Sequence, residues 1–507
     1  MTVLRVVAVD LGAGSGRVVA VTVGEDQLEL VELHRFTNDP VTANDALHWN
    51  VAEIQREVLT GLRTAAATGP VDGIGIDSWA VDFGLLDAAG NLLGLPRSYR
   101  DVYGRRGANR LRQLVDAEEI YSITGIQEQP FNTVCQLLAL AESAALASVH
   151  TFLLMPDLIG YWLTGMLGAE KTNASTTQLF DICEGTWAWS LIARLGLPTS
   201  AFPSIRESGS LLGRVLPEIS ADTGLDPGGP VLTVCSHDTA SAVVAVPADE
   251  PDFAYISSGT WSLVGIERTH PVLTAAARTA GYTNEFGIDG TVRLLRNVTG
   301  LWLLSESLRE WQPDPTVDEL LSAAEGVPPL STVIDVDDFR LQPATGGDVA
   351  PMPTRIATLA AEMGESVPCT PAEFVRCILD SMVVAYRRHI RMLSEVGQQN
   401  ISTIHLVGGG SQVGSLCQLT ADATGRSVLA GPTEATALGN ALVQARALGV
   451  ALPTRHAMRR LVRATQPLRR YEPRSSHDWA VAEERVFRNG SKRTDSARFA
   501  VHLDDGP

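Results

Sequence analysis

Short apolar runs rich in Val, Ile and Ala, each broken by small or polar residues, alternate along this chain with longer stretches whose apolar positions recur at helical spacing. The opening "LRVVAVDLGAGSGRVVAVTV" predicts a strand, a glycine-rich turn at 12–16 and a second strand. "FAYISSGTWSLVGIE" (253–267) has the same grammar, with Ser257-Ser258-Gly259-Thr260 as its turn. Two such hairpins, roughly half the chain apart, predict a duplicated domain plan. "DGIGIDSWAVDFGLLD" adds strand-like segments before the turn "AAGN", while "TVCQLLALAESAA" and "FVRCILDSMVVAYRRHIRMLSEVG" are helix-like. The alternation predicts an α/β protein with sheets covered by helices.

The Pro- and acid-rich "VPADEPD" (246–252) is the best interdomain crossing. It divides the chain into a first domain at 1–247 and a second at 248–465. From 466 to 507 the sequence turns Arg-rich and polar ("QPLRRYEPRSSHDWA"), which reads as a surface helix or arm followed by a loose tail.

Composition narrows the function classes. The 507 residues suit two large domains, and 45% hydrophobic content gives ample core. A formal charge of −18 argues against non-specific binding to nucleic acid or an anionic membrane surface. It leaves a local site free to take an anionic ligand. No apolar stretch approaches the ~20 residues of a membrane span, and the N-terminus lacks the basic and apolar regions of a signal peptide. The six cysteines are dispersed with no CxxC pair, as expected of reduced thiols in a cytoplasmic protein. Lysine occurs only at Lys171 and Lys492, and neither follows a glycine, so a P-loop is absent. The strand lysine of a protein kinase is missing too. Gly12, Gly14 and Gly16, followed by Arg17 and a strand, break the dinucleotide-binding fingerprint. A Gly-x-Ser-x-Gly nucleophile elbow is also absent.

Any nucleotide chemistry must therefore use backbone amides, arginine and metal. The 12–16 turn is an anion-binding nest in one reading and an ordinary glycine hairpin in the other. Ser15 and Arg17 add donors, and Asp10 would serve a bound phosphate only with a cation such as Mg²⁺ between them. The second hairpin, with Thr260 at its tip, would complete a phosphate clamp. In "TIHLVGGGSQVGSLCQLTADATG" (403–425) a strand runs into Gly408-Gly409-Gly410 and a helix is expected from about Ser411, a setting that suits adenosine or phosphate. Glu434, in "GPTEATALGNAL", either complements the dipole of a helix or orients a ligand.

"TVCSHDTASAVVAV" (233–246) ends a strand at Cys235 and begins a helix, which puts Asp238 at a helix N-terminus, where the dipole favours its charge. A plain N-cap is the structural alternative. Capping gives no reason for His237 beside it. In phosphoryl transfer an ionised Asp orients the accepting hydroxyl and takes its proton.

"AVDLGAGSGR", "GIDSWAVDFGLLDAAGN", "GIQEQPFNT", "TNASTTQL", "SHDTASAV", "AYISSGTWSL", "RNVTGLWLLSE" and "VGGGSQ…AGPTEATALGN", in this order from Ala8 to Asn440, resemble the FGGY carbohydrate kinases. The resemblance implies two duplicated actin/hexokinase/Hsp70-like (ribonuclease H-like) ATPase domains around a central cleft. It implies ATP-dependent phosphorylation of L-rhamnulose at its 1-hydroxyl, with L-fuculose or D-xylulose as the alternative ketoses. Carried over residue by residue, Ala13, Gly14, Ser15, Gly16 and Arg17 match the phosphate turn, and Thr260 matches the second ATP contact. Asp238 matches the proton acceptor, flanked by His237 and Thr239 as sugar contacts. Asn297 and the backbone of Ala80 match further sugar contacts. Gly408, Gly409 and Gly410 match the adenine-nucleotide loop.

Three departures stand out. Ala80 replaces a usual glycine, Ser305 stands where a glutamine would touch nucleotide, and "LQPATGGDVAP" (341–351) looks longer than the family's loop. The expected partners are a sugar and ATP with Mg²⁺, without nucleic acid or membrane, in a monomer or small homo-oligomer. Actin-like filament proteins and Hsp70-type chaperones share the fold but need no proton-accepting Asp. The "SHD" segment and the Trp79/Asp82 region therefore favour the sugar kinase.

Overall fold

The computed structural model describes residues 2–141, 148–311, 316–342, 350–474 and 478–488. In the first half, β1 (Leu4–Leu11), β2 (Ser15–Val23), β3 (Leu28–Thr37), β4 (Gly73–Ser78), β5 (Leu211–Arg214) and β6 (Pro230–Leu232) form one sheet in the order β5-β6-β4-β1-β2-β3. In the second, β7 (Phe253–Ser258), β8 (Trp261–Arg268), β9 (Thr283–Phe286), β10 (Val292–Thr299), β11 (Thr403–Val407), β12 (Ser427–Ala430) and β13 (Arg469–Tyr471) run β9-β10-β8-β7-β11-β12-β13. Each sheet is built on an antiparallel hairpin, β1–β2 or β7–β8, whose first strand also pairs in parallel with a later strand, β4 or β11. The duplication expected from the two hairpins is therefore present in the strand order itself.

The helices used below are α1 (Val51–Thr68), α2 (Thr133–Ala141), α3 (Asp238–Val244), α4 (Trp302–Trp311), α5 (Pro371–Val396), α6 (Gly414–Thr424), α7 (Ala435–Ala447), α8 (Arg455–Thr465) and α9 (Trp479–Arg488). Val6–Val9 and Leu11 are buried outright, as expected where helices cover both faces of a sheet. One apolar cluster spans the halves: Val6, Ala8 and Val19 pack with Val243, Tyr255, Leu295 and Leu438. Its tightest crossing is α7 over α3, where a Cβ on Gly439 would stand 1.8 Å from the Ser241 carbonyl oxygen. Only glycine fits there, and the crossing seats α3 against the junction of the two halves.

Two segments differ from the sequence-based expectation. After Gly408–Gly410 a 3₁₀ turn (Gly409–Gln412) intervenes, and α6 starts at Gly414 rather than Ser411. The region after 465 is not only surface: β13 joins the second sheet, and Trp479, Ala482 and Val486 of α9 enter the second half's core. Their spacing is helical, a signal masked by the many arginines around it. The tail beyond 488 and residues 343–349 of the 341–351 loop lie outside the described residues.

Candidate active site

The site is assembled where strands of both halves end. At the end of β1, Asp10 is 2% exposed and accepts from Arg17 Nε on β2 at 2.9 Å. The turn between them is braced through its carbonyls: Gly12 O accepts from Asn38 Nδ2, and Ala13 O from Arg100 Nη2, both at 2.9 Å. Among the described residues the Ala13 and Gly14 amides meet no protein acceptor, which suits an anion nest. Arg17 also pairs with Glu434, which sits at the N-cap position of α7 without capping it. Glu434 therefore stands at the positive end of α7 without capping it, and its carboxylate is turned to Arg17. It ties the 12–16 turn to the second half.

The second turn is neutral. Ser262 Oγ lies 2.6 Å from the Tyr386 hydroxyl and 3.4 Å from Ser258 Oγ. The Gly259 and Thr260 carbonyls accept from the Leu301 and Trp302 amides at the start of α4. The glycine loop lies directly on this turn: a Cβ on Gly408, at φ +81°, would come within 2.8 Å of the Ser258 carbonyl, and one on Gly410 within 2.2 Å of Ser258 Oγ. Gly408, Gly410 and the second turn are thus one contiguous backbone surface. Ser305 is exposed on α4, one turn past the amides that hold Thr260.

Asp238 is the first residue of α3, preceded by His237 at the N-cap. Its carboxylate accepts from the Thr239 amide at 2.5 Å, lies 3.4 Å from His237 Nε2, and its side chain remains 29% exposed. Burial of the surroundings pushes its carboxyl up; His237 opposes the shift and Asp10 adds to it. The loop bearing it is fixed by buried Glu170, whose Oε2 accepts from the Ser236 amide and hydroxyl (3.0 Å each) and the Thr172 amide (2.9 Å). Ser78 at the end of β4 donates to Ser236 O, and Trp79 donates to Leu11 O. Ala80 therefore follows residues tied to both the end of β1 and the Asp238 loop.

His237 is held from the second half. Its Nδ1 is 3.1 Å from Glu285 Oε2 on β9 and 3.2 Å from Arg293 Nη2 on β10, and Arg293 bridges to Glu285 at 3.0 Å. Glu285 and Arg293 are direct cross-strand partners. Burial opposes ionisation of Glu285, yet Arg293 and His237 hold its carboxyl below the usual range. Asn297 sits four residues along β10 from Arg293, and strand alternation puts it on the same face.

The sequence reading missed Asp77, Glu170, Glu285 and Arg293. Asp77 is the parallel partner of Asp10 on β4, is fully buried, and accepts from Asn440 Nδ2 of α7 at 2.6 Å. Its Oδ1 is buried without a hydrogen-bond partner. Burial first, and the Asp10 charge second, push its carboxyl well above the usual range. A carboxylate pair with an orphaned oxygen fits a hydrated Mg²⁺, which needs only one or two carboxylates once phosphates supply the rest. Among the described residues no group of three or more His, Cys, Asp or Glu forms a closed metal cage.

Models of the FGGY family of carbohydrate kinases match the chain in two parts, the N-terminal domain over residues 5–245 and the C-terminal domain over 254–448. The chain belongs to the FGGY family of carbohydrate kinases. This FGGY kinase is 42% identical to a rhamnulokinase of Pectobacterium carotovorum subsp. carotovorum, over 95% of each chain. It is 38% identical to a rhamnulokinase of Bacteroides thetaiotaomicron, over 94% of this chain and 97% of the other. Among solved structures, xylulose kinase from Rhodospirillum rubrum superposes with a TM-score of 0.75 at 20% identity, covering 96% of this chain and 98% of that one. Glycerol kinase from Plasmodium falciparum with ADP superposes with a TM-score of 0.74 at 15% identity, covering 98% and 99%. The expected fold is therefore the observed one. No helix among the described residues is long and apolar enough to cross a membrane.

Proposed function

We propose that this FGGY kinase transfers the γ-phosphoryl group of ATP to the 1-hydroxyl of L-rhamnulose, giving L-rhamnulose 1-phosphate. The chemistry rests on one observation: a part-exposed carboxylate, Asp238, opens α3 beside buried His237, on a loop that Ser78 ties to the strand paired with Asp10. Asp238 orients the sugar hydroxyl for in-line attack and takes its proton. His237, Thr239, Asn297 and the Ala80 backbone contact the sugar. Ala13–Arg17 and Thr260 hold the phosphates, Gly408–Gly410 hold the nucleotide, and exposed Ser305 is a peripheral nucleotide contact. Mg²⁺, when bound beside Asp10 and Asp77, offsets phosphate charge. Closure of the two halves excludes water and suppresses idle ATP hydrolysis.

The choice of sugar follows the relatives: 38–42% identity to proteins named rhamnulokinase, against 20% to a solved xylulose kinase. The test is ADP release with Mg·ATP across L-rhamnulose, L-fuculose, D-xylulose, glycerol and no sugar. Turnover is expected to be highest on L-rhamnulose. A faster rate on another ketose moves the assignment to that sugar, and ADP release indifferent to every sugar sinks the kinase reading.

A further inference from the structure

Directly after β4 the backbone enters a conformation that its sequence disfavours. Val81 sits at φ +70°, and the Asp82 amide donates across it to the Ala80 carbonyl at 3.0 Å. A hydrogen bond spanning one positive-φ residue is a γ-turn of the rare, strained hand. A β-branched residue there is an outlier that persists only when its surroundings hold it.

Two anchors hold it. Thr133 Oγ1 of α2 donates to the Val81 carbonyl at 2.8 Å. The Asp82 carboxylate, fully buried, collects four N–H donors. Trp49 Nε1, Trp79 Nε1 and the Tyr99 amide reach its Oδ2 at 2.6, 3.0 and 3.1 Å, and Gln136 Nε2 of α2 reaches its Oδ1 at 2.9 Å. Burial raises this carboxyl to about 6, and the four N–H donors oppose that shift by stabilising the carboxylate. Such a carboxylate fixes the turn from both flanks and from α2 at once.

The turn's location gives the strain a use. Ser78, Trp79, Val81 and Asp82 are all buried, and Ala80 alone among them is part-exposed. Its neighbours Ser78 and Trp79 are tied to Ser236, in the loop that leads into Asp238, and to Leu11, the end of β1 before the 12–16 turn. We propose that the Val81 γ-turn is a sugar-specificity device, in which Val81, Asp82 and Thr133 are positioning residues that hold the Ala80 backbone as a fixed wall of the ketose subsite. This rests on the sugar-kinase reading and deepens it. A rigid polar wall discriminates between sugar hydroxyls because a mismatched ligand leaves buried polar groups unpaired, whereas a yielding wall adapts to them.

The test uses the full chain with L-rhamnulose and ATP varied separately. Val81→Gly frees the turn, because glycine adopts positive φ without a Cβ to hold it. Thr133→Val removes the shorter of two hydrogen bonds to the Val81 carbonyl, leaving Gln136 Nε2 at 3.4 Å, with almost no change in shape. Both are expected to lower kcat/KM for the sugar about ten- to a hundredfold through misplacement of the wall. The KM for ATP should stay near wild type, and the preference for L-rhamnulose over D-xylulose should shrink. Thr133→Ser, which keeps the hydroxyl, should restore the sugar KM. Wild-type sugar KM and preference in both Val81→Gly and Thr133→Val would overturn the proposal. So would equal losses for sugar and ATP, the mark of a merely structural turn. If wild-type enzyme shows no sugar-dependent ADP release, the underlying sugar-kinase reading falls first, before any variant is compared.

Discussion

The two hairpins occupy the same place in duplicated sheets, yet they carry opposite chemistry. One residue before the end of β1 stands Asp10, whose parallel neighbour is Asp77. One residue before the end of β7 stands Ser257, whose parallel neighbour is Val407. The first turn is braced by a charged side chain, Arg100, and flanked by Arg17, while the second is braced by backbone amides and neutral hydroxyls. Asp10, Asp77 and Asp238 come from the first half, whereas Glu285 and Glu434 of the second half reach across to His237 and Arg17. Two buried carboxylates side by side demand a cation or a proton. The first half therefore holds the paired acids, and the second presents a neutral surface of backbone and hydroxyls at Gly408, Gly410 and the Ser258 turn.

The sharpest way to break this contrast is Asp238→Asn. It should lower kcat by ~10²–10⁴-fold while leaving sugar and ATP affinity nearly intact; full turnover would remove the chemistry from the first half. Next in size is Gly439→Ala at the α7–α3 crossing, where the new methyl would meet the Ser241 carbonyl. Overpacking of this kind costs about 1–3 kcal/mol, read as a lower urea midpoint, and a neutral result would mean that the halves yield at their junction. Thr260→Val should remove one neutral contact from the second turn. At about 0.5–1.5 kcal/mol that corresponds to a rise of severalfold in the KM for ATP with little change in kcat. A loss as large as that of Asp238→Asn would erase the difference between the turns.

The smallest effect is a pH slope. The folded Asp77 carboxyl lies above its ordinary value, set by burial and Asp10, so the folded state holds this proton more tightly than the unfolded chain does. The resulting stability is fully present below the unfolded value of about 3.9 and is lost as pH rises through the folded one. Asp77→Asn, which still accepts from Asn440, should flatten that decline in urea midpoints measured between about pH 4 and 8. An unchanged slope would mean that Asp77 is ionised at no cost and that Arg17 alone balances the pair.

Local signals made the hairpins, the triple glycine and the "SHD" helix start legible, since each is written in a few adjacent residues. Glu285 and Arg293 were not legible, because their pairing depends on the register of two strands and their contacts with His237 join segments far apart along the chain. Asp77 hid inside a run that reads as an ordinary buried strand. Glu434 was read from its helix position, and its ion pair with Arg17, 417 residues away, is invisible from there. The last helix reads as surface because the Arg-rich segment around it, with Arg469, Arg470 and Arg474 before it and Arg485 and Arg488 within it, masks the three apolar residues that decide its burial.

By itself the sequence determined the α/β plan, the duplicated strand–turn–strand units and the carboxylate at the start of α3, because periodicity, turn residues and helix starts are short-range properties. Only the tertiary structure decided which side chains meet. It set Asp77 beside Asp10, clamped His237 from the second half, and forced Val81 into a turn that its own backbone preference opposes. Those outcomes come from packing and from the need of buried polar groups for partners, and such partners are chosen by the fold rather than by their neighbours in the chain.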